Sequence, residues 1–185
     1  MRRILRFGLV VGAAATVAAA CGEGRAIFNV DLYSFFLAGR DDTLHYTVPP
    51  GLSDTVTSDT LELTLLGGLQ DSGVDSLRFT GTVAYENNTG GPGTIGFLVF
   101  FDTVKANVFS GTPAISVSGQ AGPGNATTAV PFTVDVTGPL KDMFVQPTLF
   151  VGVRAIVTNP GAAVLDGRVR VTAFDMRLIV QERVF

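Results

Sequence analysis

The sequence has few of the residues on which most enzyme chemistry depends. It contains no tryptophan, one cysteine and one histidine. A single cysteine cannot form an internal disulfide or a zinc site built from cysteine pairs. A single histidine, His45, excludes mechanisms that need two imidazoles, and without tryptophan only three tyrosines remain to stack on sugar rings. We therefore expect no enzyme, no cofactor and no metal site.

The remaining catalytic combinations are also poorly supplied. A triad through His45 would need Asp41 or Asp42 and a nucleophile, but no Gly-x-Ser-x-Gly elbow occurs. In the alternating segment Thr43 to Val48, the apolar residues face inward and His45 faces outward. Two sets of acidic residues also carry no recognised site: three strand glutamates are scattered along the chain, and two groups of turn aspartates lack the alternating oxygen ligands of a calcium loop. These are Glu62, Glu86, Glu182, Asp41–Asp42 and Asp71 to Asp75.

The first 21 residues carry the strongest functional pattern. Arg2, Arg3 and Arg6 form a cationic head, Phe7 to Ala20 is an uncharged apolar run, and small residues lead directly into Cys21. This order is typical of a bacterial lipoprotein signal, cut before the cysteine. The apolar run is too short for a comfortable membrane span, which needs roughly 20 apolar residues.

Lipidation of Cys21 would fix the location of the protein. A diacylglycerol on its sulfur, with acyl chains such as palmitate, supplies the two chains that stable attachment needs. Gly22 stands where an Asp would favour inner-membrane retention, so we expect the outer membrane, on its periplasmic or outer surface. Two alternatives stay open: ordinary secretory cleavage, which gives a secreted protein with a free thiol, and an uncleaved N-terminal anchor.

The charge of the chain argues against nucleic-acid binding. Without the three arginines of the signal, ten basic residues stand against 16 acidic ones, a net charge of minus six. The bases concentrate near the C-terminus, where Arg168 and Arg170 share a strand face. A basic C-terminal hairpin either pairs with acidic strands of the same sandwich or docks a partner. Its arginines are Arg154, Arg168, Arg170, Arg177 and Arg183.

From Ala26 onward the dominant hydrophobic period is two. Leu77 to Glu86 alternates apolar and polar residues, as a strand with one buried face does. Ile95 to Phe101 is apolar throughout and belongs in the middle of a sheet. The best helical segment is Leu140 to Val145, a turn or two long. We predict an all-β fold, an antiparallel two-sheet β-sandwich, immunoglobulin-like or jelly-roll-like, of about eight to ten strands.

Glycine, asparagine and proline clusters separate these strands. Asn87 to Gly93, Gly122 to Asn125 and Asn159 to Gly161 predict three hairpins. The last run, Arg168 to Phe185, is too long for one regular strand, and its alternation slips near Ala173 to Asp175, which predicts a bulge or a bend.

These patterns give residues 1–20 as a signal peptide, 21–25 as a lipidated tether and 26–185 as one β-sandwich domain. The leading functional hypothesis is a lipid-anchored envelope protein that acts as a structural or protein-interaction module, with an envelope protein as a possible partner. One alternative is a carrier that holds a small apolar ligand between its sheets. Another is a self-assembling surface or filament subunit, in which Ala26 to Phe36 adds as a strand to a neighbouring copy. An enzyme is the last alternative.

Overall fold

Antiparallel strands in two sheets make up most of the chain. The structure is a computed structural model and describes residues 18–20, 24–39, 42–65, 72–89, 91–124 and 126–182. Cys21, Asp41, Asp71 and Arg183 lie outside the described residues. The strands are β1 Ala18–Ala20, β2 Arg25–Asp31, β3 Thr43–Val48, β4 Ser53–Thr57, β5 Leu61–Thr64, β6 Ser72–Asn87, β7 Gly93–Asp102, β8 Ile115–Ala121, β9 Ala126–Val136, β10 Thr148–Thr158 and β11 Leu165–Glu182.

The strand order identifies the topology. The large sheet runs β1-β2-β11-β6-β9, with β3 also paired to β11, and the small sheet runs β4-β10-β7-β8, with β5 also paired to β10. Four antiparallel pairs are nested in sequence, each enclosing the one before it: β7–β8, β6–β9, β4–β10 and β3–β11. This nesting is the jelly-roll topology. The antiparallel two-sheet sandwich is confirmed, and its topology is the jelly-roll alternative. Among the described residues there are eleven strands, slightly more than expected, because Ala18–Ala20 adds a short one.

The three predicted hairpins are wrong, although the turns themselves are present. β6 and β7 lie in different sheets, and so do β8 and β9, and β10 and β11. The connections are therefore arches that cross between the sheets. Turn residues predict where the chain reverses. They do not predict whether the next strand pairs in the same sheet or crosses to the facing sheet, about 10 Å away.

A cluster of aromatic rings lies in the core between the sheets, among many valine and leucine side chains. Phe79 of β6 stacks on Phe101 of β7 with ring centroids 5.3 Å apart. Phe144 packs edge-on against Phe101 at 5.0 Å, and Phe174 of β11 lies 5.6 Å from Phe79. These rings are at most 5% exposed. β7 lies between β10 and β8, so the prediction of a central strand at Ile95 to Phe101 is confirmed.

A short helix interrupts the first part of the large sheet. β2 and β3 pair with the same long strand, β11, at successive positions, and helix α1, Tyr33–Gly39, lies between them. Leu32 and Phe36 are each 1% exposed and anchor this turn of chain in the core. The expected strand from Ala26 to Phe36 therefore ends at Asp31, and its residues already pair with β11.

The predicted irregularity of the last strand is confirmed. The register of β11 against β6 shifts between Val171 and Ala173, which is a β-bulge. The predicted helical turns at Leu140 to Val145 are also present, within a 3₁₀ helix, Gly138–Val145. A second 3₁₀ helix, Lys105–Ser110, was not predicted. None of the helices in the described ranges has the length and apolar character of a membrane span.

Candidate interaction surface

The outer face of the large sheet gathers most of the arginines that the structure describes. Arg78 lies on β6, and Arg168, Arg170 and Arg177 lie on β11, with side chains directed away from the core. Alternate residues of a strand share a face, so Arg168 and Arg170 agree with the sequence prediction. Arg177 differs from them in parity and reaches the same face because the bulge adds one residue. We call this surface the arginine face.

We call the part of this face around Arg168 and Arg170 its upper half, and the part around Arg78 and Arg177 its lower half. In the upper half, the Glu86 carboxylate binds two arginines. Its Oε2 lies 2.5 Å from Nε of Arg168, and its Oε1 lies 3.3 Å from Nη2 of Arg170. The Glu86 side chain is 13% exposed, so these ion pairs are partly shielded from water. The expectation that C-terminal arginines pair with an acidic strand of the same sandwich is confirmed for these two residues.

Side-chain hydrogen bonds join strand β3 to β6 and β11 next to the Glu86 ion pairs. Tyr46 of β3 donates its hydroxyl to the Glu86 carbonyl at 2.9 Å, and the Thr47 hydroxyl donates to a carboxylate oxygen of Asp166 at 2.8 Å. Burial, and then the negative charges of Asp166 and Glu86, raise the pKa of Tyr46 to about 12. His45 is exposed, as predicted, and it is the register partner of Arg168.

In the lower half, Arg78 binds Asp135 of β9 with two hydrogen bonds, of 2.6 and 3.1 Å. Hydrogen bonding to Arg78 holds the pKa of Asp135 below its usual range. Next to this pair, a groove of about 480 Å³ runs over the sheet. It is lined by residues of β2, β6 and β11, among them Asn29, Asp31, Arg78, Thr80, Asp175 and Arg177.

Arg154 lies elsewhere, on the outer face of the small sheet. Its guanidinium carbon is 4.9 Å from the ring centre of Phe100 and 5.1 Å from that of Phe109, so it makes cation–π contacts with both. The 3₁₀ helix Lys105–Ser110 brings Phe109 over the sheet at Gly152. Among the described C-terminal arginines, Arg154 therefore serves packing and is not part of the arginine face.

One end of the sandwich is formed by loops without a charged residue. These loops, which we call the uncharged tip, comprise residues 49–52, 88–89 with 91–92, 122–124 and 159–164. Main-chain hydrogen bonds join them: Asn159 donates to Leu52, and Gly124 donates to Thr89, each at 2.9 Å. Leu52 and Val164 are 56% and 47% exposed.

A second groove, of about 520 Å³, opens where the loop after the first 3₁₀ helix faces the start of the second. It is lined by apolar side chains that continue into the aromatic core, and also by the polar residues Asp102, Thr112, Asp135 and Thr137. Its lining includes Phe101, Pro113, Val136, Pro139, Leu140 and Met143. Of the two grooves, this end groove has the more apolar lining and is the candidate for the apolar ligand site expected for a carrier.

The remaining sequence candidates are dispersed. Glu62 is exposed on β5 of the small sheet, whereas Glu86 lies on the large sheet, so these two carboxylates do not face each other. Within the described ranges, no group of three or more His, Cys, Asp or Glu side chains is arranged to hold a metal ion. Cys21, the predicted lipidation site, lies outside the described residues.

No protein-family model matches the chain, and no curated protein matches it. Among solved structures, a chain of the infectious bursal disease virus Gx strain is similar, with 12% identity, a TM-score of 0.45 and coverage of 87% of this chain and 33% of that chain. A carbohydrate-binding module specific for non-crystalline cellulose, CBM28, has 10% identity, a TM-score of 0.41 and coverage of 86% and 78%.

The chain spans 33 to 38% of the length of the first two viral chains it matches. At these identities and TM-scores, the likenesses say nothing about function, which has to be derived from the residues of the chain.

Proposed function

We propose that this chain is a lipid-anchored β-sandwich of the bacterial outer membrane that acts as a structural or protein-interaction module. The observation that carries the proposal is the position of Cys21, four residues before Arg25, where β2 begins. β2 lies toward one edge of the large sheet. A lipid at Cys21 would therefore hold the domain by that edge and leave the arginine face and the uncharged tip accessible.

Signal cleavage fits this arrangement. Ala18–Ala20 pairs with Arg25, Ala26 and Ile27 at the far side of β2 from β11. A cut before Cys21 would remove this three-residue strand, while β2 would keep its seven-residue ladder with β11. The processed domain would thus keep both sheets and its core.

The test is expression of the full chain in a bacterium with two membranes, followed by membrane fractionation and mass spectrometry of the mature N-terminus. We expect the protein in the outer-membrane fraction, with Cys21 as its first residue carrying a diacylglycerol. The matched control, Cys21→Ser, removes the acceptor sulfur and should abolish lipidation. A mature chain that begins at an unmodified residue and is recovered in the soluble fraction would refute the anchor and favour secretion.

A second candidate function, a carrier of a small apolar ligand, is favoured by the end groove. The groove is large enough for a small molecule and reaches the aromatic core through Phe101. The neutral dye N-phenyl-1-naphthylamine should become fluorescent on binding there. Met143→Glu should reduce this binding about tenfold or more, because it places a charge among the apolar side chains of the groove, in addition to the carboxylates of Asp102 and Asp135 in its lining. Val104→Glu, at an exposed position outside the groove lining, is the control, and equal binding by both variants would exclude the groove.

A further inference from the structure

On the arginine face, we call residues that are register partners across neighbouring strands a row. Two adjacent rows place like charges directly opposite each other. In one row, Asp31 of β2 is the register partner of Asp175 on β11. In the next row along the strands, Arg177 of β11 is the register partner of Arg78 on β6. All four residues are exposed. Like charges directly opposite across a sheet are destabilising, so neither row is explained by the stability of the isolated domain.

Internal contacts relieve this repulsion only in part. Arg78 is neutralised by Asp135, and a carboxylate oxygen of Asp31 accepts the main-chain N–H of Ser34 at 3.2 Å. Within the described part of the chain, neither Asp175 nor Arg177 has an ion pair or a side-chain hydrogen bond. They stand two residues apart on one strand, so roughly 6.6 Å of backbone separates their rows.

We infer that the lower half of the arginine face docks onto the same face of a second copy of this chain. Consider a two-fold axis that lies parallel to the sheet, perpendicular to the strands and midway between the two rows. Rotation about this axis lays the acidic row of one copy over the basic row of the other. This rotation places Arg177 of each copy opposite Asp175 of the other, which is the reciprocal pairing of an isologous interface. The acidic row then meets a basic row instead of another acidic one.

The flanking strands agree with the same axis. On β2 the two rows carry Asn29 and Asp31, so the amide of one copy faces the carboxylate of the other. On β9 they carry Asp135 and Thr133, again an acceptor opposite a donor. The groove of about 480 Å³ over these rows gives the side chains of the second copy room to enter.

The inference deepens the proposed interaction function by naming the partner, and it is compatible with lipid attachment. An axis that runs across the strands presents the β2 edges of both copies to the same side. Because Cys21 precedes β2, both lipids could then enter one membrane. The docking itself depends on the sheet face and not on the lipid, so the two proposals fail separately.

The test uses charge reversal in the full-length chain, purified in a mild non-ionic detergent and studied by sedimentation. The wild type should be dimeric at low salt and dissociate as the salt concentration rises. Asp175→Arg and Arg177→Asp should each weaken the dimer at least tenfold, because each places like charges across the axis. Asp54→Arg, on exposed β4 of the small sheet, makes the same charge change as Asp175→Arg and should leave dimerisation unchanged.

Mixing the two weakened variants is the decisive measurement. In a mixed pair, the two basic side chains of the D175R chain would face the two acidic side chains of the R177D chain, so differently tagged copies of the two variants should co-purify. Circular dichroism checks that both variants keep the sheet. A wild type that stays monomeric at high concentration would overturn the inference. So would variants that each weaken the dimer but fail to pair when mixed.

Discussion

Asn87 and Asn159 make the same set of hydrogen bonds at the ends of different strands. Each side chain donates to the main-chain carbonyl four residues later, donates to a carbonyl of a neighbouring segment, and accepts the N–H two residues later. They are 1% and 0% exposed. The partners are Gly91, Gly122 and Thr89 for Asn87, and Ala163, Val48 and Gly161 for Asn159. Two of the three arches are therefore fixed by the same device.

Replacing either asparagine by aspartate should destabilise the protein strongly. Asn159→Asp removes both donors and directs a carboxylate at two carbonyl oxygens in a fully buried site. Because buried unsatisfied groups each cost about 1 to 3 kcal/mol, we expect the free energy of unfolding to fall by about 2 to 5 kcal/mol. Urea unfolding measures this loss. Asn107→Asp, at an exposed position, is the control and should change stability by less than about 0.5 kcal/mol.

Two glycines on the outer face of the small sheet should differ sharply in their tolerance of alanine. A Cβ at Gly152 would lie 2.5 Å from the ring of Phe109, whereas the nearest atom to a Cβ at Gly96 is 3.9 Å away. Gly152→Ala should therefore cost about 1 to 3 kcal/mol through displacement of Phe109, and Gly96→Ala should be close to neutral. Equal stability of the two variants in denaturant would contradict the packing of Phe109 on β10.

Removing the carboxylate of Glu86 should leave two arginines without their shared partner. Glu86→Gln is expected to lower the free energy of unfolding by about 1 kcal/mol, since hydrogen bonds to charged groups contribute more than neutral ones but this pair is partly exposed. The loss should shrink at high salt, because salt weakens the lost attraction in the wild type. Glu62→Gln, on exposed β5, is the control. A loss of the same size in both variants would show that Glu86 has no special role.

Two buried tyrosines should make the fold sensitive to alkaline pH. Burial raises the pKa of Tyr46 and of Tyr85 from 10.0 to about 12. Between these values the unfolded chain loses its phenolic protons while the folded chain keeps them, so stability is full below about pH 10 and falls as the pH rises toward about 12. Each tyrosine accounts for up to about 2 to 3 kcal/mol of this loss.

Urea unfolding at a series of pH values measures the alkaline effect, and the absence of tryptophan leaves tyrosinate absorbance unobstructed. Tyr46→Phe and Tyr85→Phe should each flatten the decline, and the double variant should flatten it further. A double variant with the alkaline decline of the wild type would assign the effect to other groups.

The arginine face could be predicted only in part from the sequence. The spacing of Arg168 and Arg170 gave their shared face, because a strand alternates sides. Arg177 has the opposite parity, and only the bulge after Val171 brings it to the same side. The sequence indicated a slip in that region. The ion pairs of Arg168 and Arg170 with Glu86, and the register position of Arg177 opposite Arg78, both depend on β6 lying beside β11. No local sequence pattern specifies this neighbour.

The sequence by itself determined the strands, their buried faces and the turns, since period two and turn residues act within a few positions along the chain. It also predicts an export signal that ends at Cys21, which remains a prediction. Only the tertiary structure decided that the turns after Asn87, Ala121 and Thr158 are arches, and that their uncharged loops meet at one tip. The physical reason is that the same turn residues reverse the chain whether the next strand pairs in the same sheet or joins the facing one. The sheet that a strand joins depends on pairing with strands far away in the sequence, as when β6 pairs with β11 and β9.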